Sequence, residues 1–166
     1  MKFRGKVFIV VGARGNGKSH FVKKHTQHVH ESRFRVYDVQ GEYYDYDDDE
    51  LLPDMDEFLQ KVIFLRECVI VFEEATVFFS NKGCDKMIKK LLVSARHNKN
   101  TVFLLFHSIR SIPLELYELT DYVVIFNTLD IEDIVEKKHS LLYPSWLKVR
   151  GIPRKYEIVK INASNI

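Results

Sequence analysis

Five short apolar runs stand out along the 166 residues, at 7–11, 35–39, 68–72, 101–106 and 122–126. Each is nearly continuous in aliphatic, aromatic and β-branched residues rather than alternating, which is the pattern of strands covered on both faces of a parallel sheet. Between the runs the apolar spacing becomes helical. Segment 19–30 follows the first run, and 55–65 offers Phe58, Leu59, Val62 and Phe64 to the interior. Segment 86–96 carries the stripe Met87, Ile88, Leu91, Leu92 and Ala95, and a shorter piece spans 113–119. Strand and helix in alternation predict a doubly wound α/β fold. Beyond Asn127 the pattern weakens into a helix-like stretch, 131–139, and then a basic tail, 141–166, expected to be an edge strand or an arm. The expected organisation is a core over 1–130, with a C-terminal helix and tail over 131–166 packed on it or extending from it, one domain overall.

Composition narrows the class without changing this picture. A chain 46% hydrophobic and 29% charged is neither disordered nor fibrous. It holds no run of about 18 apolar residues, so no membrane-spanning helix is expected. The apolar run after the first few residues is too short for a signal peptide, and Cys68 and Cys84 form no C-x-x-C, so a cytoplasmic, reducing location is expected. The net charge of +2 hides a segregation. Residues 41–60 hold nine acids and no Lys or Arg, leaving 25 bases against 14 acids elsewhere. Two basic stretches result, one including Lys86, Lys89, Lys90, Arg96 and Arg110, the other including Lys137, Lys138, Lys148, Arg150, Arg154, Lys155 and Lys160. Such patches attract polyanions.

The first run leads directly into Gly12-Ala13-Arg14-Gly15-Asn16-Gly17-Lys18-Ser19, followed by His20 and the first helix. This is G-x-x-x-x-G-K-S between a strand and a helix, the arrangement that a nucleotide triphosphate cradle requires. Glycines let the loop turn its backbone N–H groups onto the phosphates, and the helix N-terminus adds positive potential. Lys18 reaches the β and γ phosphates, and the Ser19 hydroxyl binds Mg²⁺. ATP and Mg²⁺ are therefore the expected ligands. The third run ends in Glu73-Glu74, as in a Walker-B strand: Glu73 holds Mg²⁺ directly or through water, and Glu74 orients or deprotonates the attacking water. The fold class expected is α/β, a P-loop NTPase of the ASCE/RecA-like type, with a mainly parallel sheet of five or more strands flanked by helices.

Other positions are candidates for supporting roles. His107 and Ser108 end the fourth strand, where polar side chains can meet the γ phosphate. Arg96 and Arg110 are alternative arginine fingers for a neighbouring subunit, with Arg96 preferred. His25, His28 and His30 do not share one helix face and carry no metal-site expectation. Trp146, beside Tyr143 and Pro144, reads as a packing anchor for the tail.

The order of these parts resembles the FtsK/HerA superfamily of DNA-pumping ATPases and, within it, the small genome-packaging ATPases of viruses. Four stretches carry the resemblance: the 12–19 cradle; Val36-Tyr37-Asp38-Val39-Gln40-Gly41-Glu42-Tyr43; Val69 to Glu74; and Ala95-Arg96-His97 with the strand ending in His107-Ser108. It spans about residues 5–127. Where the family's last strand usually ends in Thr-Gln, this chain has His-Ser. The resemblance implies a homo-oligomeric ring of five or six subunits threading double-stranded DNA without base readout. It also implies a trans arginine at the place of Arg96, action in the cytoplasm of a host or at a packaging vertex, and a portal or capsid-vertex protein as partner. Lys86, Lys89 and Lys90 and the basic tail are the available grips on DNA phosphates. The acidic 41–60 segment either repels a wrong surface or docks on a basic neighbour. Zot-like phage assembly proteins are close cousins, though they carry a membrane span after the ATPase domain. Two further readings compete: a small nucleotide kinase, which has no need of Glu74, and a non-hydrolysing nucleotide switch.

Overall fold

Apolar side chains cover both faces of the central strands, and this fixes how the layers stack. The computed structural model describes residues 4–38, 41, 54–80 and 82–162. Six strands form one sheet: β1 (Val7–Val11), β2 (Phe34–Tyr37), β3 (Val69–Phe72), β4 (Thr101–Phe106), β5 (Tyr122–Phe126) and β6 (Tyr156–Lys160). Their spatial order is β2-β3-β4-β1-β5-β6, with β1 to β5 parallel and β6 antiparallel to β5. Val7, Ile9 and Val11 join one core, while Phe8 and Val10 join the other, as the two-residue period of a strand dictates.

Among the described residues six α-helices flank the sheet: α1 (Lys18–Thr26), α2 (Met55–Val62), α3 (Ala75–Phe79), α4 (Lys82–Ala95), α5 (Glu132–Lys138) and α6 (Tyr143–Val149). The larger core is built from α2 to α6, through Phe58, Leu59, Phe78, Ile88, Leu91, Val135 and Trp146. The smaller takes only Phe21 and Val22 of α1 among the described helices. Trp146 is fully buried, its indole Nε1 donating to Thr128 Oγ1 at 2.9 Å, with the Arg150 guanidinium 4.8 Å above the ring. It is the packing anchor expected of it. Among the described residues no helix is long and apolar enough to cross a membrane.

The tail takes one of its two expected forms: it folds through α6 and returns as an edge strand beside β5, a sixth strand in a sheet expected to have five or more. Several other expectations are corrected. The second strand starts at Phe34, and Val39 lies outside the described residues. α1 ends at Thr26, whose hydroxyl caps the Val22 carbonyl (2.8 Å), four residues short of the expected end. Phe64 is 83% exposed, because α2 stops at Val62 and Ile63 to Phe64 turn away from the interior. α4 begins at Lys82 rather than Lys86, and α3 is a short helix that was not anticipated. Most of the acidic segment, residues 42–53, and with it Glu42-Tyr43, lies outside the described residues.

Candidate functional site

β1 sits between β4 and β5, two later strands that flank it on opposite sides in the sheet, and the loop after it occupies the crevice at their carboxyl ends. This is where open α/β sheets place ligands. The loop is tied to both neighbours, with Gly12 N donating to Phe106 O (3.1 Å) and Ala13 N to Asn127 O (2.8 Å). Gly15 and Gly17 adopt φ of 78° and 101°, a left-handed backbone that glycine takes without strain. α1 opens at Lys18 with no acidic residue in its first turn and Lys23, Lys24 and His25 in its last. Its positive N-terminal end is thus left for an anion.

The expected cradle residues converge on one cavity of about 590 Å³. Arg14, Gly15, Asn16, Gly17, Lys18, Ser19 and His20 line it, while Gly12, buried, and Ala13, half-buried, do not. Lys18 is 5% exposed, and its Nζ donates to Gly12 O at 2.8 Å and to His107 Nδ1 at 3.2 Å. An ammonium only donates, so Nδ1 accepts and the other ring nitrogen carries the proton. That nitrogen, Nε2, lies 2.7 Å from Glu74 Oε2 and donates to it. Lys18, His107 and Glu74 thus form a continuous chain of hydrogen bonds between the cradle and the end of β3.

Glu73, 4% exposed, accepts a hydrogen bond from Ser19 Oγ at 2.8 Å. Buried carboxylate and hydroxyl side by side make a set of hard oxygen donors suited to Mg²⁺. Ser108 stands apart from this centre. It does not line the cavity but opens a turn whose Ile109 and Arg110 amides donate to Asp130 at 2.7 and 3.3 Å. Of the pair expected at the end of β4, only His107 reaches the cradle.

The two arginine candidates lie at opposite ends of the strands. α4 runs back along the strands, so Arg96 emerges where they begin, 3.3 Å from Asp121 Oδ1, which also binds Lys6 (3.1 Å). Its side chain is 60% exposed. Arg110 is exposed and follows β4 at the cradle end. Lys86 and Lys90 are exposed on α4, whereas Lys89 is engaged by Asp85 (2.9 Å) and Glu115 (3.1 Å), which hold its pKa above the ordinary lysine value. Lys89 is thus already paired with two carboxylates, unlike what was expected of an open phosphate grip, while Lys86 and Lys90 match that expectation in exposure. The C-terminal bases are also partly committed: Lys137 pairs with Asp133, Lys148 with Glu157, and Arg150 with Glu132.

Five cavity residues were not among the sequence candidates. Phe21, Lys24 and Phe126 stand beside the cradle, and Arg154 and Tyr156 enter from β6 and the turn before it. The signal for the last two was the alternation of Tyr156 to Lys160 after the turn at Gly151 to Pro153, which marks an edge strand but not its neighbour.

No family model and no curated protein matches the chain by sequence. Solved structures do match it. The chain is similar to the genome packaging NTPase B204 of Sulfolobus turreted icosahedral virus 2 in complex with AMPPCP, at 18% identity over 97% of this chain and 95% of that one, with a TM-score of 0.75. It is similar also to B204, the DNA-packaging ATPase of Sulfolobus turreted icosahedral virus (15% identity, 98% and 96% covered, TM-score 0.74). A third likeness is to the pCW3 conjugation coupling protein TcpA with ATPγS, at 11% identity over 96% of this chain but 58% of that one, with a TM-score of 0.67. The fold is that of a P-loop NTPase, as expected, and the solved structures similar to it include packaging ATPases.

Proposed function

We propose that this chain is an ATP-hydrolysing motor of the FtsK/HerA type that moves double-stranded DNA, acting as a ring in the packaging of a viral genome. The observation that carries the hydrolytic part is a hydrogen-bonded set at the cavity. The Lys18 cradle, the Ser19–Glu73 oxygen pair and His107 line it, and behind His107 a second carboxylate, Glu74, is tied to the cradle. The likeness to two B204 structures supports the packaging part.

In this reading the cradle amides and Lys18 bind and orient the triphosphate. Ser19 and Glu73 would hold Mg²⁺, which would supply positive charge to offset that of the phosphates. Glu74 positions and deprotonates the attacking water. His107 links the two halves: phosphate binding draws Lys18 away from Nδ1, and the change reaches Glu74 through Nε2. Arg96, at the far end of the strands from its own cradle, acts on a neighbour's nucleotide in a head-to-tail ring, with Arg110 the alternative. Lys86 and Lys90 are the exposed cations for gripping DNA phosphates, a contact that weakens with salt because it rests on counterion release. A cytoplasmic site of action and a portal or capsid-vertex partner belong to the same reading.

The test is steady-state ATP hydrolysis at several protein concentrations, with and without long double-stranded DNA, at low and moderate salt. A specific rate that rises with protein concentration and again with DNA supports the motor. Mixing Arg96→Ala with Lys18→Ala protein should recover turnover that neither has alone, since each supplies what the other lacks. A rate indifferent to concentration and DNA, or phosphate transferred to an added nucleoside monophosphate, overturns the proposal.

A further inference from the structure

The nucleotide cavity extends past the phosphate cradle onto a surface with no part in phosphate chemistry. Its far wall is the ring of Tyr156, the first residue of β6, 40% exposed at the edge of the sheet. An aromatic ring this open is normally free to turn, but this one is held. It packs edge-on against Phe21 of α1, with centroids 5.2 Å apart and planes at 75°, and tilted against Phe126 of β5, again at 5.2 Å. Phe21 is in turn set against Phe126 at 81°. Three mutually locked rings thus present one partly open face to the cavity.

Arg154 lines the same wall two residues upstream, in an exposed turn with φ of 60°. A non-glycine residue with left-handed backbone is uncommon, and such departures concentrate where a ligand is handled. Tyr156 pairs with Phe126 across β5 and β6, which places the ring beside the strand end that also flanks Gly12 and Gly17.

We infer that Tyr156 is the platform on which the nucleobase stacks, with Arg154 as the cation beside it, and that the C-terminal strand therefore selects the nucleotide while the cradle binds its phosphates. A ring face reads stacking area rather than hydrogen-bonding edges, so purine nucleotides bind more tightly than pyrimidine nucleotides. The inference rests on the nucleotide reading of the preceding subsection.

The test measures binding of the methylene-bridged analogues of ATP and CTP, and of inorganic tripolyphosphate, to the full chain by calorimetry with Mg²⁺ present. Tyr156→Leu keeps an apolar side chain against Phe21 and Phe126 but removes the π face. It should weaken the ATP analogue by roughly ten-fold, the scale of losing a base–aromatic stack. Tripolyphosphate affinity should stay as it was and the purine preference should collapse, while Tyr156→Phe restores the preference. Arg154→Gly, which suits the left-handed turn, should lower affinity for the ATP analogue without lowering the melting temperature. Equal loss of the ATP analogue and tripolyphosphate in Tyr156→Leu, or no loss of either, overturns the platform. Should Tyr156→Leu fold poorly, absence of any purine preference in the wild-type protein is overturning by itself. If wild-type and Lys18→Ala proteins bind tripolyphosphate alike, the cradle reading fails first, and that result is distinct from all the others.

Discussion

At Gly12 a side chain has nowhere to go: a Cβ built there would stand 2.6 Å from the Cβ of Phe126, which is itself pinned by Phe21 and Tyr156. Gly12→Ala is expected to cost about 1–3 kcal/mol, the range of overpacking a tight interior, and to shift the loop that Lys18 depends on. Chemical denaturation of the variant checks this, and an unchanged midpoint would refute it. The charged residues of the site separate into binding and chemistry. Lys18→Ala should abolish nucleotide binding or turnover. Glu74→Gln keeps the hydrogen-bonding shape but not the base, so it should bind nucleotide and lose turnover, read by calorimetry beside phosphate release. Wild-type hydrolysis by Glu74→Gln would remove Glu74 from the mechanism.

Among the elements, the strands buried on both faces were legible because burial on both sides leaves no polar positions to confuse the run. β1, β4 and β5 stand at the expected residues, and β3 differs only at its first. β6 was legible only as far as an edge strand or an arm somewhere in the tail, since an edge strand needs only one apolar side and here exposes Tyr156, Ile158 and Lys160. α3, with five residues, is too short to display a helical period. The same contrast explains the site. Lys18, Ser19 and the two glutamates follow from spacing within single segments, whereas Arg154 and Tyr156 reach the cavity only through pairing across β5 and β6. α6 packs against both strands of that pairing and buries Trp146. Trp146→Ala is expected to cost ~3–5 kcal/mol. Thermal melting measures that loss, and the ATP analogue should weaken with it if β6 depends on α6. Normal affinity in a destabilised variant would separate the two.

Across the whole molecule, stability should depend on pH through His139, which closes α5 and lies buried with Nδ1 2.7 Å from the Tyr117 hydroxyl. Burial lowers its pKa, aided by Lys138 and opposed by Asp130. The native chain thus resists a proton that the unfolded chain accepts near pH 6.5, so stability is greatest above about pH 6.5 and declines as pH falls below it. Melting temperatures at about pH 8 and pH 5.5 should differ less in His139→Asn than in the wild-type protein, and an equal difference in both would discharge His139 from this role. The position of β1 has a kinetic consequence. Its two partners are β4 and β5: Val7 lies beside Val102 and Phe8 beside Tyr122, so neither pairing forms until most of the chain has come together. Closing such long loops precedes any gain from the contacts, which slows folding. The strand that carries the phosphate loop is therefore among the last to be locked in, and on refolding the ability to hold nucleotide should return with the slowest phase rather than with the first helices.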